Sequence, residues 1–284
     1  MGFRFKLNPK HTNKVMMMFG GLVGYYIWKN EKSYSYSLLL PNNQPLVPWD
    51  WNWDKREPSA FIAKESKSDS TEEDKVSEVV KSQKPCATRH LIFIRHGQYN
   101  LDGTIDEERY LTKLGREQAE MTGKRLKELS WNYTRFVHST MTRATQTAEI
   151  IYNQLDNKLH SIEKIESCDL LREGAPIRPE PGIGNWKAEM HYFSEGARIE
   201  AAFRRYFHRA PISQTKNSYE IFVCHANVIR YFVCRALQLQ PEAWLRMSLH
   251  NGSITILSIR PDGRVSLKML GDCGYMPVDM LTFN

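Results

Sequence analysis

His90-Leu91-Ile92-Phe93-Ile94-Arg95-His96-Gly97-Gln98 is the stretch on which the reading of this chain turns. Leu91 to Ile94 is a continuous apolar run with the β-branched character of a strand buried in a parallel sheet. It breaks abruptly into Arg-His-Gly. In open α/β sheets ligands bind beyond the carboxyl ends of strands, so chemistry is expected at this break. Arg95 and His96 suit a phosphate, because a guanidinium grips oxygens and a neutral imidazole can attack phosphorus. Gly97 lets the backbone approach an anion closely. The tripeptide by itself fits a structural turn equally well.

Three later stretches extend the pattern. Phe136–Ala148 reads as a second strand end running into a helix, with Ser139 placed to cap it and Arg143 one turn further on, near the positive helix end. Ile221–Asn227 is a third apolar strand, ending in His225 before a helix. Leu170–Pro176 is a loop carrying Glu173. Two histidines and two arginines, each where a strand feeds a loop or helix, can converge on one anion.

These four stretches, in this order, resemble the histidine phosphatase superfamily, the phosphoglycerate mutase-like proteins, over roughly residues 89–284. A closer resemblance, to the mitochondrial serine/threonine phosphatases of that superfamily, rests on Leu170–Pro176, Arg198–Ala210, Asn227–Leu237 and Trp49–Pro58. The resemblance implies an α/β fold of three layers, α/β/α, around a mainly parallel sheet. Alternation of strand and helix from Arg89 onward agrees with that class. Helices are expected at Thr112–Leu129, along the Met141, Ala144, Ala148, Ile151, Leu155 stripe, at Glu195–His208 and at Val228–Leu237. Ser253–Ile259 and Val265–Leu270 read as a hairpin around Pro261-Asp262-Gly263.

For the site, the resemblance implies His96 as the nucleophile that forms a phosphohistidine. Arg95, Arg143 and His225 bind the phosphate oxygens, a clamp that stabilises a loose, anionic transition state without a metal. Glu173 is the candidate acid and then base, with Glu166 and Asp169 as neighbouring competitors. No cofactor or metal is expected, and no cluster has ligand spacing. Asn100 stands closer to the histidine than the superfamily's usual asparagine, which leaves its part open. His250 reads as a turn residue, and His138, His160, His191 and His208 as packing or solvent residues. Only 52 positions separate Glu173 from His225. The mutases carry a longer insertion there, so an open pocket for a phosphorylated protein side chain is expected. A small-molecule phosphatase or mutase, and a weakly catalytic interaction scaffold, are the competing readings.

The rest of the 284 residues is organised around this domain. The formal charge of +7 is concentrated in residues 1–32, where Arg4, Lys6, Lys10, Lys14, Lys29 and Lys32 face a single acid, Glu31. The remainder is close to neutral and gives no support for a nucleic-acid groove. Five cysteines without a Cys-x-x-Cys pair argue against a disulfide scaffold and suit a reducing compartment. Residues 15–28 carry no charge but fall short of the ~20 apolar residues of a full span. Lys14 and Lys29 can snorkel and Tyr25, Tyr26 and Trp28 can lie at an interface. A signal peptide and a buried helix are alternatives; a membrane anchor of mitochondrial type, in the outer or inner membrane, is favoured in part by the resemblance.

Residues 33–88 read as a linker with a polar, low-complexity stretch. It contains Trp49-Asp50-Trp51-Asn52-Trp53-Asp54. If extended, this stretch puts Trp49, Trp51 and Trp53 on one face and Asp50, Asn52 and Asp54 on the other. Residues 49–58 are therefore expected to act as a docking segment for self-association into dimers and larger assemblies, pairing with basic residues such as Arg204 and Arg205. A staple onto the same domain is the alternative.

Overall fold

A computed structural model describes residues 47–56, 84–155, 165–184 and 186–283. The expected anchor at 15–28, His160 and most of the expected linker lie outside the described residues. Among the described residues no helix is long and apolar enough to cross a membrane. Asp50–Asn284 forms one compact unit.

Among the described residues six strands make one sheet: β1 (Arg89–Arg95), β2 (Tyr133–Ser139), β3 (Glu166–Cys168), β4 (Ser218–Cys224), β5 (Ile254–Ile259) and β6 (Val265–Asp272), in the order β3-β2-β4-β1-β5-β6. β3, β2, β4 and β1 run parallel to one another; β5 runs antiparallel to β1, and β6 closes the expected hairpin. Register sets Arg95 beside Cys224 and Ser139 beside Cys168. His96, His225 and the loop after β3 therefore leave the sheet along one edge.

The two-residue alternation of β1 separates two cores. Ile92 and Ile94 pack with Leu126, Ala144, Ala148, Ile151 and Leu155 of helices α1 (Lys113–Leu129) and α2 (Thr142–Leu155). Phe93 faces the other way, stacking on Phe207 and Phe222 and meeting Phe232 edge-on. Phe203 of helix α3 (Glu189–Tyr206) and Phe232 of α4 (Ala226–Ala236) carry that aromatic layer. Each such ring contributes about 2–3 kcal/mol of burial. Helices on both faces give the three layers. Thr112 caps α1, accepting from Gly115 N at 3.0 Å. Helix α3 starts six residues before the expected Glu195, at Glu189. Met190 and Phe193 in that first part are exposed and leave no apolar period to read.

Asp50–Arg56 is turned rather than extended. Asn52 N donates to Asp50 Oδ1 and Arg56 N to Asp54 Oδ1, local bonds that curl the chain. The expected two faces are therefore lost. Trp53 is buried, its indole N–H donating to Gly263 O at 2.8 Å, whereas Trp51 is half exposed. Asp54 is buried with Trp53 and pairs with Arg209, 3.3 Å away, rather than with Arg204 or Arg205. Arg204 instead reaches the carbonyl of Trp53. Asp50 exchanges two bonds with the Gln238 side chain.

Candidate active site

The residues expected to converge do so at the carboxyl edge of β2, β4 and β1. Helix α1 crosses so close behind this edge that a Cβ on Gly97 would stand 2.3 Å from Gly115 O, and one on Gly115 would stand 1.9 Å from Gln98 O. Both positions require glycine. Gly97 N donates to Thr147 Oγ1 of α2, and Asn251 Nδ2 donates to His96 O at 3.1 Å. The loop is thus held from three sides.

These contacts settle the protonation of His96. Its Nδ1 lies 2.8 Å from Gly97 O, which only accepts, so Nδ1 carries the proton. Its Nε2 receives the Nε–H of Arg143 at 3.2 Å, so the Nε2 lone pair faces the arginine. Burial holds the imidazole well below its ordinary pKa, and the charges of Arg143 and Arg95 add to that. His96 is neutral at physiological pH. His225, whose ring centroid lies 5.1 Å from that of His96, is likewise held neutral by burial, then by Arg143, His96 and Arg95. Its Nε2 meets Ser139 Oγ at 2.8 Å, and its Nδ1 is buried without a hydrogen-bond partner. Ser139 caps the turn by accepting from Met141 N and also orients His225.

Arg95 donates to Leu249 O at 2.6 Å and to Phe283 O at 2.9 Å. Burial pushes its guanidinium down to about 10. Arg143 lies over the Tyr99 ring at 4.6 Å and faces Asp106 at 3.6 Å. Asp106 Oδ2 also accepts from Thr142 N and Oγ1 and so caps α2. Tyr99 and Asp106 carry no signal in the sequence, and Met141, read there only as part of an apolar stripe, accepts from Glu173 N through its sulfur; these roles come from tertiary contacts of loops.

The three carboxylates separate by environment. Glu166 is paired bidentately with Arg135, and Asp169 accepts from Thr140 Oγ1. Glu173 lies within electrostatic reach of Arg143 and Arg95, yet burial outweighs them and raises its pKa. Asn100 ties its own loop together, donating to Glu108 O and accepting from Asp102 N. His250 packs on Phe283 with ring centroids 3.9 Å apart. Among the described residues no group of three or more His, Cys, Asp or Glu is gathered as a metal site.

A neutral imidazole with a fixed tautomer, flanked by two arginines and a second neutral imidazole, is equipped for in-line phosphoryl transfer. The mitochondrial serine/threonine-protein phosphatase PGAM5 of Mus musculus is 54% identical to this chain over 235 residues, covering 82% of this chain and 80% of that protein. The protein of the same name from Drosophila pseudoobscura pseudoobscura is 48% identical over 268 residues, covering 92% of each. A solved phosphoglycerate mutase from Plasmodium falciparum is 30% identical, covering 70% of this chain and 99% of that one, with a TM-score of 0.48. Residues 91–272 match the family model described as histidine phosphatase superfamily (branch 1), and by that match and the identity to the mouse phosphatase the chain belongs to that superfamily.

Proposed function

We propose that this chain is a mitochondrial protein phosphatase that hydrolyses phosphoserine and phosphothreonine through a phosphohistidine on His96. The observation that carries the mechanism is the His96 tautomer: Nδ1–H on Gly97 O leaves Nε2 as the attacking atom. Nε2 forms the N–P bond as the ester P–O bond breaks. Arg95, Arg143 and Nδ1–H of His225 hold the non-bridging oxygens. Glu173, whose pKa burial raises, gives its proton to the departing serine or threonine oxygen. The resulting carboxylate then takes a proton from water, whose oxygen attacks phosphorus and breaks the N–P bond. His96 returns neutral and phosphate leaves. The substrate class and the mitochondrial setting are supported by the names of relatives about half identical to this chain.

Two further features belong to this reading. The uncharged run at 15–28 tethers the enzyme to a mitochondrial membrane. The Trp49–Pro58 stretch also serves self-association: the pocket that receives Trp53 and Asp54 offers the same contacts to the segment of a second copy.

The full chain is assayed on a phosphothreonine peptide and on 3-phosphoglycerate. Turnover of the peptide in preference to the sugar acid is expected, and the reverse preference overturns the substrate class. His96→Ala abolishes turnover, and the wild-type intermediate is lost in acid and kept in alkali, as for phosphohistidine. Light scattering of the chain beside a variant with Trp51 and Trp53 changed to alanine tests self-association; equal masses refute it.

A further inference from the structure

After β3 ends at Cys168, the chain makes a short 3-10 turn, Asp169–Leu171, in which Arg172 N donates to Asp169 O, and continues to Gly174. A loop whose C=O groups converge needs a donor, because buried carbonyls without partners are costly. Arg198 of α3 is that donor. Its Nη1 donates to Leu170 O at 2.9 Å, to Arg172 O at 2.6 Å and, longer, to Asp169 O at 3.4 Å. Its Nη2 donates to Glu173 O at 3.0 Å. One planar guanidinium thus gathers the carbonyls of four residues, ending on the one that bears the acid.

Other contacts fix the far side of the loop. Ala175 N donates to Glu195 Oε2 at 2.5 Å, and Gly174 O accepts from Asn227 Nδ2 at 3.2 Å. Glu195 and Arg198, three apart on α3, form one acceptor and one donor that bracket the loop. The fit is tight, since a Cβ on Gly174 would stand 2.8 Å from Arg198 Nη2. The Glu173 carboxyl also bonds back to Gly174 N at 3.0 Å, so loop shape and carboxyl direction are coupled. Arg198 spends both terminal nitrogens on main-chain oxygens, which is what a loop organiser rather than a surface ion pair requires.

We propose that Arg198 is a positioning residue for Glu173: by gathering the loop carbonyls, it sets where the acid stands against the leaving oxygen. This rests on the assignment of Glu173 as the acid. A positioning residue acting through an acid has a signature that a merely structural one lacks. An alkoxide must be protonated as its P–O bond breaks, whereas a nitrophenolate leaves without that proton. Loss of Arg198 should slow the first and spare the second.

The test compares wild type, Arg198→Met, Glu173→Gln and the double variant. Each is assayed on a phosphothreonine peptide by rapid quench and on p-nitrophenyl phosphate by the pre-steady-state burst. Arg198→Met should lower phosphoryl transfer from the peptide about tenfold or more while the burst rate stays within about twofold. In the Glu173→Gln background Arg198→Met should add nothing, because the two act as a unit. Equal losses on both substrates, or independent multiplication in the double variant, overturn the proposal. If Glu173→Gln itself does not separate the substrates, the acid assignment has failed instead. Inhibition by inorganic phosphate should be unchanged in Arg198→Met; its loss means that the clamp has moved and also counts against the proposal. Should Arg198→Met not fold, Arg198→Lys, whose ammonium cannot span four carbonyls, is read in the same way.

Discussion

Arg143 donates its Nε–H to Nε2 of His96 at 3.2 Å, so the phosphate clamp and the attacking nitrogen are bonded to one another. An arriving phosphate must come between them, taking the arginine's donors for its oxygens and releasing the lone pair to attack. The charge of Arg143 also helps to keep His96 neutral.

Arg143→Ala should therefore act in two ways. Loss of a charged clamp lowers kcat/KM by about a hundredfold or more. The His96 imidazolium then forms at higher pH than in wild type, so the acid limb of the pH profile moves up. A profile whose acid limb stays in place contradicts this arrangement.

Glu173 gives the alkaline limb. Burial raises its pKa, so the acid form persists above the ordinary carboxyl range and is lost as pH rises through the raised value. With an alkyl phosphate, kcat/KM should fall there, and with p-nitrophenyl phosphate the fall should be shallower. The same shift bears on stability. Between the ordinary and the raised pKa the unfolded chain gives up its proton first, so the folded state loses stability as pH rises. Glu173→Gln removes that loss, and its melting temperature should exceed wild type at neutral pH but not near pH 4.

Gly115→Ala tests the close crossing of α1 behind the nucleophile loop. On propensity alone the change favours the helix by about 1 kcal/mol. A methyl at 1.9 Å from Gln98 O cannot be accommodated, so α1 or the loop must shift. Lower denaturant midpoint and reduced turnover together are expected. A gain in stability with full activity would show that the crossing is looser than described.

Arg89 and Glu220 form a bidentate pair at 2.6 and 2.7 Å, buried at the opposite end of β1 and β4 from the histidines. Arg89 also donates to Tyr206 O and His208 O. Glu220→Ala strands a buried cation and should cost about 3–5 kcal/mol in urea unfolding. The far-end location predicts that kcat on folded protein is little changed.

What sequence revealed and what it hid follow from the range of the contacts. His96 and His225 were legible because each ends a continuous apolar run, and such runs mark strands whatever they pack against. The stripe through Ala144, Ala148, Ile151 and Leu155 was legible by period, and all four are buried. Met141 shares that spacing, yet its sulfur faces Glu173 N and Arg143, a direction no period encodes. The Trp51 and Trp53 faces were misread because alternation presumes extension, while Asp50 and Asp54 fold the backbone locally. Asp106 and Arg198 act across loops and helices distant in sequence. No local pattern announces them.

The order β3-β2-β4-β1-β5-β6 has a consequence for how the enzyme comes into being. The first strand of this sheet to be made, β1, lies between β4 and β5, which follow it by well over a hundred residues. On a ribosome Leu91–Ile94 must wait as an unpaired apolar segment until Ser218–Cys224 emerges. Pairing at such sequence separation is slow, and a chain held in that state is prone to aggregate. Because His96 and His225 terminate these two strands, the step that hides the vulnerable segment also brings the two imidazoles together. Nascent chains shorter than this are therefore both sticky and inert, and protection from aggregation and competence for catalysis arrive in a single folding event.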